Sequence, residues 1–113
     1  MYMDRLKQLL QFHETSPGDS FLQYCIALEY DKVGEPEKSL EYFLQLLKND
    51  ENYVATYYHL GKLYEKLGKK EDAENTYTKG LAVAQVQKDN HAYSELLNAK
   101  NELVNNFDIE FDN

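Results

Sequence analysis

A single cysteine, Cys25, leaves no partner for an intramolecular disulfide framework. It falls inside an apolar helical pattern with no base identifiable nearby, so the expectation is a buried small hydrophobe and not a nucleophile. Two prolines and five glycines are all that punctuate the chain, which leaves most of it free to be helical. Basic residues are scarce, 12 Lys and Arg against 20 Asp and Glu, for a net charge of −8. Phosphate recognition needs clustered cations, and the one tight basic pair, Lys69-Lys70, falls at an expected turn, so no nucleic-acid partner is expected. The same acidity disfavours an anionic membrane surface. Long apolar runs are missing too, and none could span a bilayer. The opening MYMDRLKQLLQFHE carries charges inside its apolar pattern and does not read as a signal peptide. A soluble, cytoplasmic protein without a membrane partner is the expectation.

Chemistry-bearing motifs are equally sparse. There is no glycine-rich phosphate loop, no G-x-S-x-G and no H-E-x-x-H. His13, His59 and His91 lie in three separate expected helices with no paired spacing. Asp50-x-Asn52 imitates the start of a calcium loop but lacks the later glycine and glutamate, so it reads as a helix-end turn. The expectation is no enzyme, no cofactor and no metal.

What is present is tyrosine, ten residues within an aromatic content of 13%. Tyrosine buries a ring while keeping one end wet, which suits thin, half-buried layers. Apolar residues recur at three- and four-residue steps along much of the chain, the mark of amphipathic helices. Residues 2–14 carry Met3, Leu6, Leu9, Leu10 and His13 and stop at Thr15-Ser16-Pro17-Gly18. Asp19 or Ser20 can cap the next helix, 20–33, which is apolar around much of its circumference. Gly34 ends it and Pro36 suits the first turn of a helix over 36–49, presenting Leu40, Phe43, Leu44 and Leu47. Helices over 53–67, 70–87 and 90–106 follow, leaving a tail, 107–113, either disordered or a short docking strip. No stretch reads as strand. The expected fold is a single all-α domain, a stack of about six helices in antiparallel hairpins.

The stretch Tyr57–Leu81 repeats an earlier one 34 residues upstream. Ile26 corresponds to Leu60, Ala27 to Gly61, Tyr30 to Tyr64 and Gly34 to Gly68. Ser39 corresponds to Ala73, Phe43 to Tyr77 and Leu47 to Leu81. A fixed period of this kind marks a repeat architecture. The pattern Tyr57-x-x-Leu60-Gly61-x-x-Tyr64, then Ala73-x-x-x-Tyr77, resembles the tetratricopeptide repeat. The upstream copy is looser, with Gln23 at the first aromatic position and Ser39 for the alanine. Repeats are set at 20–53 and 54–87, with 2–14 as the second helix of a leading half-repeat and 90–106 as a capping helix. Neither full repeat has the family's closing proline; Glu51 and Gln85 stand there. If 90–106 is a solubilising cap its outer face should be polar, which Lys100, Asn101, Glu102 and Asn105 would satisfy.

The resemblance implies a non-catalytic adaptor that binds a peptide or partner segment in a concave groove lined by the first helix of each repeat. Carried onto this sequence, the groove positions are Phe21, Tyr24, Leu28 and Asp31, then Ala55, Tyr58, His59, Lys62 and Glu65. In each pattern the remaining face, Leu60, Gly61 and Tyr64 in the second copy, is committed to packing. Relatives that hold a terminal carboxylate do so with Lys and Asn from these helices. Here the lining offers only Lys62 and no asparagine, so a mixed apolar and basic segment is the better match. A homodimer through the end faces of the stack is the alternative implied by so short an array.

Overall fold

A computed structural model describes the backbone of residues 2–112 and the side chains of residues 4–106. Among the described residues there are six helices and no strand: α1 (Tyr2–Thr15), α2 (Ser20–Lys32), α3 (Pro36–Asn49), α4 (Ala55–Lys66), α5 (Lys70–Gln87) and α6 (Asn90–Asp112). The expected boundaries stand within a residue or two except at α6. That helix runs beyond 106 because neither glycine nor proline occurs in 105–112 to stop it. Whether the tail docks is a question about side chains outside the described residues, as is the place of Met3. The chain falls into two compact units, residues 1–56 and 57–113.

In the first unit α2 packs against both α1 and α3. Its start is fixed by Asp19, whose carboxylate accepts the Leu22 N–H at 3.0 Å; its end is fixed by Gly34, at φ +85°. With the chain in that left-handed turn, the Gly34 N–H reaches the Asp31 carbonyl at 3.2 Å and the Glu35 N–H reaches the Tyr30 carbonyl at 2.9 Å. Both orphan carbonyls of the last turn are thereby satisfied. Pro36 then opens α3 without forfeiting a hydrogen bond. The two helices approach closely at Ser39, whose hydroxyl donates to the Ala27 carbonyl at 2.6 Å. Ile26, Ala27, Phe43 and Leu46 form the core. The face expected for α3 is corrected here: Leu46 is fully buried and Leu44 is 44% exposed. Phe43 and Leu46, three residues apart, define the buried stripe.

The second unit repeats the device. Gly68 sits at φ +77°, its N–H bonded to the Glu65 carbonyl at 3.0 Å and the Lys69 N–H to that of Tyr64 at 2.8 Å. Two glycines set how closely α4 meets α5. A Cβ on Gly61 would stand 2.1 Å from Tyr77 Cε1, and one on Gly80 would stand 2.5 Å from Tyr57 Cβ. Tyr57, Leu60, Leu63, Ala73, Tyr77 and Ala84 fill this core, closed from α6 by Leu96, Ala99 and Leu103. A third turn of the same kind ends α5, with Lys88 in place of glycine at φ 59°. The Asp89 N–H bonds the Ala84 carbonyl at 2.9 Å, and the Asp89 carboxylate accepts the Ala92 N–H at 3.0 Å to start α6.

Candidate functional site

The helix α4 divides its residues between two environments. Leu60, Gly61 and Leu63 are buried, while Tyr58, His59, Lys62 and Glu65 are half-buried along another side. Tyr64, expected to be committed to packing, is half-buried as well. The half-buried set is connected. The His59 ring meets Tyr58 edge-on with centroids 5.3 Å apart, and the Lys62 ammonium lies 5.6 Å from the centre of the Tyr58 ring. Lys62 is also 3.8 Å from the Glu65 carboxylate. That carboxylate accepts a hydrogen bond from the Tyr77 hydroxyl. Burial foremost, and then this bond, hold the Tyr77 hydroxyl far above its ordinary value of 10.0, so it stays protonated and donating. Glu65 thus ties the half-exposed side of α4 to the core ring of α5.

Beside this network lies a shallow depression of about 180 Å³, lined by Tyr58 and Lys62 of α4 and by Glu95, Asn98, Ala99 and Glu102 of α6. The α6 contribution was missed in the sequence. Glu102, expected on the outer face of the last helix, lines the depression instead. The signal was available, since 95, 98 and 102 fall at steps of three and four and share one helical face. Asn98 brings an asparagine near Lys62, but Glu95 and Glu102 stand with it. The cation against the Tyr58 ring is the chain's own Lys62, and the two carboxylates stand beside it.

In the first unit the residues marked on α2, at steps of three and four, share one side of that helix and differ in exposure. Phe21 is 64% exposed. Tyr24 is half-buried against Tyr53, with ring centroids 5.5 Å apart, and Asp31 is half-buried. Leu28 lines a cavity of about 480 Å³ with Arg5, Cys25, Glu29 and Lys32. Ala55 is half-buried at the start of α4. Burial pushes the Cys25 thiol up from 9.0, which disfavours the thiolate, although the side chain is half-buried and not fully enclosed. Glu29 was not foreseen. Its side chain is 5% exposed, with one carboxylate oxygen 3.3 Å from Arg5 Nε and the other without a hydrogen-bond partner. Leu63 holds the corresponding place one repeat later. Among the described residues no group of three or more His, Cys, Asp or Glu gathers as a metal site, and no helix is long and apolar enough to cross a membrane.

The tetratricopeptide repeat model matches residues 54–86, the span of the second repeat. The solution structure of a tetratricopeptide repeat domain protein from Salinibacter ruber is 41% identical, over 77% of this chain and 88% of that one, with a TM-score of 0.74. The chain belongs to the tetratricopeptide repeat family. Its fold recurs in more distant solved structures. PcrH in complex with the chaperone binding region of PopD superposes with a TM-score of 0.85 at 15% identity, over 93% of this chain and 80% of that one. The yeast Sti1 TPR2B domain in complex with an Hsp70 peptide gives a TM-score of 0.70 at 11% identity, over 87% and 84%. No curated protein matches the sequence. The family's close-packing positions are Ala27 and Gly61, Ser39 and Ala73, all buried here, which is the physical content of the motif.

Proposed function

We propose that this tetratricopeptide repeat protein is a non-catalytic, cytoplasmic interaction module that binds a segment of another protein on the first helices of its repeats. The observation that carries this reading is the division of α4, where buried residues are spent on the core and a tyrosine, a histidine and a lysine remain half-exposed beside a depression. Rings with polar tips are favoured contact residues because they bury large area at small entropic cost. The distant relatives PcrH and Sti1, each solved with a bound partner segment, support the same use of the fold. Tyr58, His59, Lys62 and Glu65, with Ala55 at the helix start, make the contact on α4; Phe21, Tyr24, Leu28 and Asp31 make it on α2. The segment taken is mixed apolar and basic, its cation placed between Glu95 and Glu102. Selection of binders from a displayed random peptide library against the full chain tests this. Enriched peptides should carry Lys or Arg beside apolar residues, and Tyr58→Ala should weaken them at least tenfold with helicity unchanged. Acidic binders, or affinity indifferent to Tyr24→Ala and Tyr58→Ala, would remove these faces from the account.

A further inference from the structure

The helix α1 leaves open a stripe that both full repeats bury. In α3 the residues Ser39, Phe43 and Leu46, at steps of four and three, are buried. One period later in α5, Ala73, Tyr77 and Gly80 are buried too. Each stripe is covered by the first helix of its own repeat. The Ser39 hydroxyl donates to the Ala27 carbonyl of α2 at 2.6 Å, while Tyr77 and Gly80 lie against Gly61 and Tyr57 of α4. One period upstream, the same places in α1 are held by Arg5, Leu9 and Phe12. Here Phe12 is 63% exposed, the Arg5 side chain is 62% exposed and Leu9 is half-buried. Packing on α2 buries Leu6, about 90° round the helix from the stripe's centre, and leaves the stripe uncovered. At its Arg5 end the stripe meets the cavity of about 480 Å³ whose other walls come from α2.

We propose that the stripe and this cavity receive an amphipathic helix of a partner protein, with a small residue on its apolar face and a carboxylate toward Arg5. The fold itself supplies the shape of the occupant. The same stripe is twice covered by a helix, and twice meets it at a small residue, Ala27 or Gly61. Size on one side is matched by smallness on the other, since Tyr77 faces Gly61 and Gly80 faces Tyr57. Phe12 therefore calls for alanine or glycine opposite it. Charge supplies the rest. Arg5 reaches Glu29 through Nε at 3.3 Å, which leaves its terminal nitrogens for an incoming carboxylate. Round the cavity Arg5 and Lys32 stand against the single carboxylate of Glu29, a positive balance on a chain of net charge −8. Asp19 is spent on the cap of α2, and Asp31 lies about 110° round that helix from the centre of the lining. The other charges of α1, Asp4, Lys7 and Glu14, are exposed and lie about 100° or more from the stripe's centre.

This inference rests on Arg5, Leu9 and Phe12, which the peptide-binding reading does not use. The test is to pan a displayed library of amphipathic helical peptides against the full chain. Binders are then sorted on Phe12→Ala, an exposed substitution that leaves the core intact. Those that need Phe12 should carry alanine or glycine on the apolar face and an acidic residue beside it. They should lose at least tenfold in affinity on Arg5→Gln, which keeps a donor for Glu29. They should also slow alkylation of Cys25, the single cysteine and part of the cavity wall, at least tenfold. Binders lost in Tyr58→Ala but indifferent to Phe12→Ala would support the peptide-binding reading and count against this one. A library that yields no Phe12-dependent binder, or only basic ones, would overturn the proposal. So would self-association of the chain alone that Phe12→Ala abolishes, which would assign the stripe to a second copy.

Discussion

At the scale of single residues the two repeats solve one packing problem with different side chains. Where the second places Tyr57 against Gly80, the first has Gln23 and Leu46 at the corresponding positions, all of them buried. Where the second sets the Tyr77 ring on Gly61, the first has Phe43 and Ala27. The larger demand falls on Gly61. Gly61→Ala drives a methyl into a fully buried ring and should destabilise the protein by about 1–3 kcal/mol, seen as a lowered Tm. An unchanged Tm would mean that Tyr77 does not lie on Gly61. Glu29 points the other way. One of its oxygens is buried without a hydrogen-bond partner, while Arg5, its ion-pair partner, is 62% exposed and can return to water. Glu29→Leu, which installs the residue found one repeat later, should leave stability equal or raise it by about 1–4 kcal/mol in chemical denaturation. A clear loss would show the ion pair to be net stabilising.

At the scale of helices, most of what the structure shows was legible. Gly34 and Gly68 announced their turns because few residues tolerate positive φ, and the cap of α2 was narrowed to Asp19 or Ser20, of which Asp19 makes it because its short carboxylate reaches back to an exposed N–H. What escaped was rotation about a helix axis. Leu40, Leu44, Leu46 and Leu47 are chemically alike, and periodicity alone could not decide which of them meets α2. The same ambiguity hid α6, where exposed Glu102 lines the depression beside α4 and apolar Leu97 is exposed as well. Buried charge escaped for a further reason, since Glu29 depends on Arg5 arriving from another helix. One terminus remains improvable. Lys88 holds the left-handed position that glycine occupies at 34 and 68, at a cost that glycine avoids. Lys88→Gly should therefore raise stability by about 0.5–1 kcal/mol in thermal unfolding, the gain reduced by glycine's greater freedom in the unfolded chain. A fall in Tm would mean that the lysine side chain contributes more at α5 than its backbone strain costs.

At the scale of the whole molecule, the family was legible because repetition makes a weak pattern count twice. The site was legible only in part. The α4 positions could be carried over from the repeat, but the acids that give the depression its preference come from α6, outside the repeat frame. Acidity also shapes what the molecule can meet. A net charge of −8 attracts cationic segments and weakens that attraction as salt rises. The central claim is that the half-exposed side of α4 is a binding surface and not merely the flank of a core. The most direct measurement is a titration of a selected basic-apolar peptide into the isotopically labelled full chain, followed by amide chemical shifts. The account predicts shifts concentrated at Tyr58, His59, Lys62, Glu95 and Asn98, and loss of those shifts in Tyr58→Ala. Saturable binding with shifts elsewhere and none on α4 would contradict it.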